Sequence, residues 1–322
     1  MAQYLVTGGA GFIGSHITEE LLRRGENVRV LDNFSTGKRT NLDSLSSVKG
    51  PHLDVQEGDI CDLATVRSAM RGVDFVLHQA ALPSVARSLS DPIATNNVNV
   101  DGTLNVLVAA RDEKVRRVVY ASSSSVYGNT PTLPKIETMP TQPISPYAVS
   151  KLAAERYCVA FHEVFGLETV CLRYFNVFGP RQDPDSQYSA VIPKFIVAIL
   201  RSEAPIIHGD GLQSRDFTFV RNVVLANLQA CVSTKAIGKV MNIACGDTHT
   251  LLDLHRDIEK LTGKSVKPVF VERRKGDIKD SLSSIELAGS CLGYAPVTGW
   301  LTGLQETIEW YQSNQAPGRK IL

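Results

Sequence analysis

Tyr147 and Lys151 stand four residues apart in a stretch that follows Pro146 and has the pattern of a helix. Side chains four apart lie on one face of a helix, so the phenol and the ammonium group face the same space. A tyrosine hydroxyl has a pKa of about 10 and is a poor base at neutral pH. A nearby lysine charge favours the phenolate and lowers that pKa. The pair therefore predicts a base that removes a proton from an alcohol while a hydride leaves the same group.

A glycine-rich turn near the N-terminus predicts where the acceptor of this hydride binds. Gly8, Gly11 and Gly14 follow a predicted strand and open a predicted helix. Without side chains they let the turn close, let the backbone approach a pyrophosphate, and turn the helix N-terminus towards the phosphates. Because such glycines also mark ordinary tight turns, the turn alone is a weak signal.

Asp32 supplies the second part of the nucleotide pattern. It ends the next predicted strand, 18 residues beyond Gly14. A carboxylate there can accept hydrogen bonds from the hydroxyls of the adenosine ribose, and it would repel a 2′-phosphate. The first arginine after it is Arg39, so NAD is favoured over NADP. The alternative, that Asp32 only caps a turn, leaves the glycines and the spacing unexplained.

Further residues are predicted to line the same nucleotide site. Asp59 and Ile60 would lie beside the adenine. Ala80 and Ala81 are small enough for the backbone to touch the cofactor, and Asn99 could reach the strand above the nicotinamide half. Taken singly, each is more often a turn or packing residue. The predicted NAD-binding residues are Gly8, Gly11, Phe12, Ile13, Gly14, Asp32, Asn33, Asp59, Ile60, Gln79, Ala80, Ala81, Asn99, Tyr147, Lys151 and Tyr174.

A run of four serines follows the predicted strand over residues 117–121. Ligands of parallel sheets bind at this carboxyl edge, so one of the hydroxyls is predicted to hold the oxygen of the substrate. For the tyrosine and the lysine, the alternative is a chance pair on a solvated helix. Their combination with the glycine turn and the serine run argues against chance.

The elements that must position these residues are strands and helices in alternation. Short β-rich apolar runs alternate with helical patterns, which is typical of βαβ units and a parallel sheet. The fold class is therefore α/β: a doubly wound parallel Rossmann sheet with a smaller C-terminal α/β domain. The predicted strands cover residues 4–7, 27–31, 75–79, 117–121 and 169–174, and helices are predicted to begin near Phe12, Leu63, Asn96 and Pro146.

The regular alternation of strands and helices ends after Asn176, where a second region is predicted to begin. We predict an NAD-binding domain over residues 1–175, with returning segments near 216–244, and a substrate-binding domain over residues 176–322. A ligand is expected to lie between the two. Strand patterns recur at residues 216–220 and 240–244, and residues 300–311 have the pattern of an amphipathic helix with Leu301, Leu304, Ile308 and Tyr311 on one face.

Composition argues against several classes of function. With 34 lysine and arginine residues against 33 aspartate and glutamate residues, the net charge of +1 gives no field that would gather nucleic acid or an anionic membrane. The cysteines and histidines lack the spacing of metal ligands, so no metal site is predicted. No apolar run approaches the length of a bilayer span, and the first strand begins too early for a signal peptide. We therefore expect a cytoplasmic protein.

These residues resemble those of the extended short-chain dehydrogenase/reductase family, and the resemblance covers essentially the whole chain. Within that family the chain is most similar to the nucleotide-sugar 4-epimerases. The resemblance implies that Ser123, Tyr147 and Lys151 form the catalytic triad. Ser123 is chosen because it lies four residues before Tyr127, as the serine or threonine of the family does, and Ser124 is a near competitor.

The resemblance also implies a site for UDP and a sugar. Two arginines can fork onto a diphosphate, and an aspartate can hold ribose hydroxyls. Ser281 stands where epimerases restricted to glucose and galactose tend to have tyrosine, and its small side chain leaves room for a 2-acetamido group. Residues 181–184, Tyr188 and residues 190–194 especially resemble the UDP-N-acetylglucosamine 4-epimerases. The predicted substrate-binding residues are Ser84, Ser123, Ser124, Tyr147, Asn176, Val191, Arg215, Arg274, Asp277 and Ser281.

The resemblance thus predicts an isomerase, a UDP-hexose 4-epimerase that works through a 4-keto intermediate with bound NAD. It would interconvert UDP-glucose and UDP-galactose, and also UDP-N-acetylglucosamine and UDP-N-acetylgalactosamine. A 4,6-dehydratase would carry an Asp-Glu pair where Ser124 and Ser125 stand, and a UDP-xylose synthase would have a glutamate at Ser125.

Three other functions stay open as alternatives. UDP-glucuronate 4-epimerases often share the serine run but tend to have threonine or serine where this chain has Asn176. The other two are a net NAD-dependent nucleotide-sugar oxidoreductase and a non-catalytic nucleotide-sensing scaffold. The resemblance also implies a homodimer, joined through the helices near residues 96–111 and 146–165.

Overall fold

The structure is a computed structural model that describes residues 1–43, 45, 52–184, 191–273 and 279–314. The strands, in chain order, are β1 (Gln3–Thr7), β2 (Asn27–Asp32), β3 (Leu53–Glu57), β4 (Phe75–His78), β5 (Arg117–Ser123), β6 (Glu168–Tyr174), β7 (Val177–Phe178), β8 (Ile206–His208), β9 (Ser214–Arg215), β10 (Thr218–Phe219), β11 (Val240–Ile243), β12 (His249–Thr250) and β13 (Val269–Val271). The α-helices are α1 (Phe12–Arg23), α2 (Thr40–Asp43), α3 (Leu63–Met70), α4 (Val85–Ser90), α5 (Pro92–Asn96), α6 (Gly102–Asp112), α7 (Pro146–Phe165), α8 (Val191–Leu200), α9 (Val220–Val232), α10 (Leu251–Thr262), α11 (Glu286–Leu292) and α12 (Trp300–Asn314).

Seven of the described strands form one parallel sheet in the order β11-β6-β5-β4-β1-β2-β3. The sheet is built outward from the centre in both directions, because β1 pairs with β2 on one side and with β4 on the other. In such sheets a crevice opens outside the carboxyl ends of the strands where the winding changes direction. The site is therefore expected beside the ends of β1 and β4.

Two apolar layers hold the helices against this sheet. On one face, Ile17 of α1 and Val223 of α9 belong to the same buried cluster as Val30 of β2. On the other face, Val106 of α6 and Phe161 of α7 belong to a second buried cluster. A parallel sheet covered on both faces confirms the predicted doubly wound α/β class.

Two features of the sheet region differ from the sequence prediction. Strand β3 was missed because Leu53–Glu57 contains two apolar residues and lies at the sheet edge, where its side chains are half-buried or exposed. The helix predicted to begin near Asn96 starts earlier, at α5. It then passes through a π-helical turn, Asn97–Asp101, before it continues as α6.

The remaining strands form short pairs, β7 with β10, β9 with β12, and β8 with β13. The strand predicted over residues 216–220 is wrong at both ends. Only Thr218–Phe219 pair with β7, and Val220 already begins α9. Residues 216 and 217 lie outside any strand, and the buried carboxylate of Asp216 accepts hydrogen bonds from the backbone of other loops.

Helices α8, α10 and α12 enclose a third buried cluster. The predicted face of α12 is present in Leu304, Ile308 and Tyr311, which are buried. The prediction that Leu301 shares this face is wrong, since Leu301 is 49% exposed. The neighbouring Trp300 packs against the third cluster instead, where it is partly buried and its ring stacks on Phe217.

Strand β11 and helix α9 return from beyond residue 175 to join the main sheet, where returning segments were predicted. The division into two domains itself stays a prediction. None of the helices that the structure describes is long and apolar enough to cross a membrane.

Candidate active site

A cavity of about 790 Å³ opens over the carboxyl ends of β1, β2, β4, β5 and β6. Its volume is in the range of small-molecule and cofactor sites. The predicted cofactor residues that line it are Gly8, Gly11, Phe12, Ile13, Gly14, Asp32, Asn33, Asp59, Ile60, Gln79, Ala80, Ala81, Tyr147, Lys151 and Tyr174. The fold therefore brings to one crevice residues that are spread over more than half of the chain.

The glycine turn is tight because two of its glycines have no room for a side chain. Gly8 has a φ of +69°, and a methyl group there would lie 2.7 Å from the backbone nitrogen of Ala80. A methyl group at Gly14 would overlap the carbonyl oxygen of Gly8. The N–H of Gly8 donates to the carbonyl of Leu31 at 2.8 Å, which joins the turn to β2. The first turn of α1 consequently lines the cavity with its backbone, as a pyrophosphate site requires.

Asp32 ends β2 with its carboxylate at the cavity wall. Its two oxygens accept hydrogen bonds from the backbone N–H groups of Ala10 at 2.9 Å and Phe34 at 2.8 Å. Burial raises the pKa of Asp32, and these two hydrogen bonds oppose the rise. The side chain thus caps the adjoining turns and also faces the cavity, so capping and ribose binding do not exclude each other.

A second carboxylate, that of Asp59, lines the cavity close to the first. It accepts hydrogen bonds from the side-chain amide of Asn33 and the N–H of Cys61, both at 2.8 Å. Burial raises the pKa of Asp59, but the hydrogen bonds from Cys61 and Asn33 outweigh burial and hold the pKa below its usual range. Asp59 is therefore an ionised acceptor at neutral pH.

Sequence reasoning missed the loop directly after Asn33, which also lines the cavity through Ser35, Thr36, Gly37 and Lys38. Their position in the sequence could have predicted this, since they directly follow Asn33 at the carboxyl end of β2, where the cofactor site was already expected. Arg39 pairs with Glu57 and lies with its guanidinium 3.9 Å from the centre of the Phe34 ring.

Tyr147 owes its position to the start of α7. Pro146 occupies the first helical turn, where its missing N–H costs nothing. Ser145 caps the helix, and its Oγ accepts a hydrogen bond from the N–H of Ala148 at 3.2 Å. The phenol of Tyr147 is thereby fixed in the first turn of a long, packed helix and lines the cavity.

Ser123 is the last residue of β5, and its hydroxyl lies close enough to the Tyr147 phenol to lower the pKa of that phenol. Its Oγ also accepts a hydrogen bond from the N–H of Ser125 at 3.2 Å. Ser124, the competing candidate, begins the 3₁₀-helix Ser124–Tyr127. Of the two serines, Ser123 is the one that the structure joins to the tyrosine.

Lys151 lies one helical turn after Tyr147, on the same cavity wall. Its Nζ donates to the carbonyl of Ala121 at 2.8 Å and lies 5.1 Å from the centre of the Tyr120 ring. Burial lowers the pKa of Lys151 to about 8. The ammonium form still predominates at neutral pH.

The expected lowering of the Tyr147 pKa is wrong for this arrangement of side chains. Burial raises the pKa of Tyr147, and the hydrogen bond with Ser123 only opposes the rise. The physical reason is that the loss of solvent around the buried phenol is the largest influence on its pKa.

Asn99 is buried behind the cavity wall, which corrects the expectation of a direct contact there. Its amide nitrogen donates to Ser150 Oγ at 3.0 Å, and its amide oxygen accepts from the N–H of Leu82 at 2.7 Å. Leu82 lines the cavity, and Ser150 Oγ donates to the carbonyl of Tyr147 at 2.8 Å. Asn99 therefore supports two walls of the site from behind.

A family model described as the NAD dependent epimerase/dehydratase family matches residues 4–244 of this chain. The chain belongs to that family. Membership confirms the predicted NAD cofactor and the predicted enzyme class, and the crevice fits the cofactor independently. The glycine turn admits no side chain between the backbone and a pyrophosphate, and Asp32 offers a carboxylate to a ribose.

Relatives of this epimerase/dehydratase extend over almost its whole length. A putative UDP-glucose 4-epimerase of Methanocaldococcus jannaschii is 35% identical over 311 residues, 96% of this chain and 98% of the relative. The structure of a UDP-N-acetylglucosamine 4-epimerase from Methanobrevibacter ruminantium M1, in complex with UDP-N-acetylmuramic acid, is 39% identical with a TM-score of 0.92, covering 97% of this chain and 98% of that one.

A third relative carries a different sugar. The structure of a UDP-glucuronic acid 4-epimerase from Bacillus cereus, in complex with UDP-glucuronic acid and NAD, is 32% identical with a TM-score of 0.89, covering 97% of this chain and 99% of that one. These relatives confirm the resemblance to nucleotide-sugar 4-epimerases. Because these relatives differ in the sugar they are named for, the similarity does not identify the hexose that this chain acts on.

The predicted substrate residues of this epimerase/dehydratase lie mostly outside the cofactor cavity. Ser84 caps α4 and lines the cavity. Asn176 donates its side-chain amide to the Asp216 carbonyl at 3.2 Å. Val191 begins α8 and packs against the third buried cluster. Arg274, Asp277, Tyr188 and residue 190 lie outside the described residues.

Arg215 and Ser281 are brought together by short strand contacts. Arg215 donates to the carbonyl of Lys279 at 3.0 Å, and the N–H of Ser281 donates to the carbonyl of Ser214 at 3.1 Å. The two predicted residues, 66 positions apart in the sequence, thus share one pairing. Sequence spacing gives no sign of this contact, because it rests on a single isolated bridge between Ser214 and Asp280.

The carboxylate of Asp216 holds the loops around this pairing. It accepts hydrogen bonds from the N–H groups of Cys245 at 2.9 Å, Gly246 at 3.1 Å and Ser283 at 3.2 Å. Burial raises the pKa of Asp216 to about 6, against the effect of these hydrogen bonds. This residue was not predicted, because its role depends on three loops that meet only in the folded chain.

Proposed function

We propose that the protein is a UDP-hexose 4-epimerase that keeps NAD bound and inverts carbon 4 of the sugar. The observation that carries the proposal is the contact between Tyr147, which lines the cofactor cavity, and Ser123 at the end of β5. This contact supports a proton acceptor and a hydroxyl donor that act together beside the crevice that fits the dinucleotide.

In the proposed reaction, Tyr147 removes the proton of the 4-hydroxyl group, and Ser123 hydrogen-bonds to the oxygen of that group. Bound NAD would supply the acceptor and later the source of the carbon 4 hydride, and its positive charge would favour the phenolate. The sugar becomes a 4-keto hexose between the two transfers. Because the hydride must return to the opposite face, the hexose has to turn while UDP stays held.

Lys151 has two tasks in this scheme. Its pKa of about 8 keeps it charged at neutral pH, and its position one helical turn from Tyr147 lets that charge favour the phenolate. It is also proposed to hold the nicotinamide ribose, since its Nζ reaches the cavity floor at Ala121. The first of these tasks opposes the effect of burial on the pKa of Tyr147.

The reaction requires that UDP is bound firmly and that the hexose can turn. The residue types at the two ends of the proposed substrate site match this requirement. Arg215 offers a guanidinium fork to a diphosphate, and Arg274 and Asp277 are proposed as further anchors. Ser84 and Ser281 offer small side chains near the sugar.

Ser281 also supports a substrate preference. A serine leaves room for a 2-acetamido group, so we propose that UDP-N-acetylglucosamine and UDP-N-acetylgalactosamine are substrates alongside UDP-glucose and UDP-galactose. The similarity to a UDP-N-acetylglucosamine 4-epimerase supports this choice. A UDP-glucuronate 4-epimerase is the second candidate, favoured by the similarity to the Bacillus cereus enzyme.

The test is a product analysis on the purified full-length protein with UDP-glucose, UDP-N-acetylglucosamine and UDP-glucuronate in parallel. No NAD is added, because an epimerase regenerates the cofactor in every turnover. We expect both neutral sugars to be epimerised at carbon 4 and the protein to purify with NAD. Failure to convert UDP-N-acetylglucosamine contradicts the proposed preference. A parallel reaction with added NAD tests the alternative, because accumulation of NADH in step with product there would assign a net oxidoreductase.

We also propose a homodimer. Exposed apolar side chains on α5 and α7 support a contact between copies, namely Ile93, Val149, Val164 and Phe165. Helices α5 and α7 pack beside each other, so these residues belong to neighbouring helices. Light scattering should give twice the chain mass of 35.1 kDa. A single-chain mass at micromolar concentration would contradict the proposal.

A further inference from the structure

The chain after β7 crosses back to the cofactor cavity. Residues 179–183, called the strap below, follow β7, and two of them, Gln182 and Asp183, line the same cavity as the glycine turn and the loop after β2. The crevice therefore has a wall that comes from outside the sheet. Sequence reasoning noted part of this segment for its resemblance to UDP-N-acetylglucosamine 4-epimerases and gave it no role.

Three contacts fasten the strap to α1, the helix that follows the glycine turn. His16 Nε2 donates to the carbonyl of Pro180 at 2.9 Å. Arg181 donates to Ser15 Oγ at 3.3 Å and forms an ion pair with Glu19. The side chains of Arg181 and Glu19 are 14% and 16% exposed, so solvent screens this pair less than an ordinary surface pair.

The backbone of Arg181 shows that these contacts determine the path of the strap. Its φ of +65° lies in a region that residues other than glycine rarely adopt. Such a conformation persists where the surrounding contacts over-determine it. Glu19 and Ser15 supply those contacts on one side. On the other side, the Tyr311 hydroxyl donates to the carbonyl of Gln182.

A further ion pair joins the far end of the strap to the loop after β2. Lys38 Nζ lies 3.3 Å from the carboxylate of Asp183, and both residues line the cavity. Their side chains are about one third exposed, so this pair is the weaker attachment. The strap is thus fixed to α1 at Arg181 and to the loop after β2 at Asp183, the two elements that frame the nucleotide crevice.

We propose that the strap retains NAD in its crevice and that Arg181 is the residue that fastens it. The inference rests on the proposed function, since an enzyme that returns the same hydride in every turnover gains from a cofactor that stays bound. The dinucleotide leaves after the attachments at α1 and Lys38 open. Loss of the pair between Arg181 and Glu19 therefore speeds release of NAD and leaves the chemistry at Tyr147 intact.

Two variants of the full-length chain form a matched test, because Arg181 and Arg23 both pair with Glu19. Arg23 is 63% exposed and lies at the end of α1, outside the strap. Wild type, Arg181→Gln and Arg23→Gln are loaded with NAD, passed through a gel filtration column and mixed with excess ADP-ribose, which occupies vacated sites. Free NAD is then measured against time in the absence of substrate.

We expect Arg181→Gln to release NAD roughly tenfold faster than wild type and Arg23→Gln to stay within about twofold, because interface changes act mainly on dissociation rates. Equal release from all three proteins overturns the proposal. So does an equal acceleration in both variants, which would assign the effect to Glu19 on α1 alone.

A charge exchange keeps the test independent of folding defects. The double variant Glu19→Arg with Arg181→Glu restores an ion pair of reversed polarity, so slow release should return towards the wild-type rate. Release that stays as fast as in Arg181→Gln overturns the assignment of Arg181. Since release is measured on added NAD without turnover, its outcome is distinguishable from failure of the proposed function, which the epimerase assay decides.

Discussion

The two halves of the site are built in different ways. The cofactor half lies on the carboxyl ends of five strands of one parallel sheet, so Gly8, Asp32 and Ala80 are held by a continuous hydrogen-bonded register. The proposed substrate half depends on much shorter pairings, such as the two-residue pairing of β9 with β12 and the single bridge between Ser214 and Asp280. A sheet holds the residues around a ligand rigidly. Short pairings leave a sugar room to turn, and they let the preferred sugar change through few substitutions.

The difference gives each half its own expected signature. Changes in the cofactor half should affect NAD content or the chemical step for every substrate. Changes in the substrate half should leave NAD bound and alter stability or selectivity. Four variants test this separation, and a variant that shows the signature of the other half would break it.

Tyr147→Phe should have the largest effect. Removing the phenol oxygen removes the proposed base, and turnover should fall roughly 1000-fold for every sugar. The ring still fills its place in the cavity wall, so NAD should stay bound. Tyr157→Phe on the same helix, where the tyrosine is 39% exposed, is the control and should keep full turnover. Epimerisation rates and NAD content measure both, and turnover within tenfold of wild type would remove Tyr147 from the proposed role.

Gly8→Ala tests the tightness of the cofactor half against Gly25→Ala. Both glycines have positive φ, +69° and +81°, so both variants carry a backbone cost of roughly 1 kcal/mol. At Gly8 the new methyl group also meets the backbone of Ala80, whereas the space around Gly25 is open. We expect Gly8→Ala to lose NAD and to melt well below Gly25→Ala. Equal NAD content after gel filtration in the two variants would contradict the steric account.

Asp216→Asn tests the scaffold of the substrate half through pH. The folded-state pKa of Asp216 is about 6, whereas an unfolded aspartate has a pKa of about 4. The folded protein binds this proton more tightly, so the stability that Asp216 contributes is full below about pH 4 and is lost as pH rises through about 6.

Two pKa units correspond to about 3 kcal/mol. The free energy of unfolding of the wild type should therefore fall relative to Asp216→Asn across this window, because asparagine does not titrate. Denaturant unfolding at about pH 4.5 and about pH 6.5 measures the change. Asp210→Asn, at an exposed aspartate, is the control and should follow the wild type. A pH-independent gap between wild type and Asp216→Asn would refute the raised pKa.

Ser281→Tyr should have the smallest effect and the most selective one. A bulky ring at this position should lower kcat/KM for UDP-N-acetylglucosamine roughly tenfold and leave UDP-glucose within about twofold, since pocket size discriminates groups of this kind modestly. NAD content should not change. The two sugars serve as each other's control, and an equal loss for both would place residue 281 away from the acetamido group.

The sequence predicted the cofactor half because its signals are local. Glycines after a strand, an aspartate at the end of the next strand and a Tyr-x-x-x-Lys pair each lie within a few residues of one element. The rule that parallel strand ends meet at one edge does the rest. Asn99 is the exception, because a residue's burial behind a wall is decided by packing that the pattern does not contain.

What the sequence did not predict depends on contacts between distant segments. Lys38 and Asp183 meet across the crevice although 145 positions separate them. Asp216 binds loops near residues 245 and 283. The direction of the Tyr147 pKa shift was also out of reach, because it depends on how completely the fold removes water from the phenol.

At the π-helical turn Asn97–Asp101, the number of residues determines how α5 and α6 are rotated relative to each other. Each residue of a helix turns the chain by about 100°, and a π turn accommodates one residue more than an α turn. Here the wider turn lets α5 stay against α7 while Gly102, at the start of α6, stays against Ile60. Deleting one residue would preserve both helices and every side chain in them, yet rotate one helix relative to the other. The cavity wall at Leu82 would then lose its support from Asn99 through a change of phase alone, without the loss of a single chemical group that contacts a ligand.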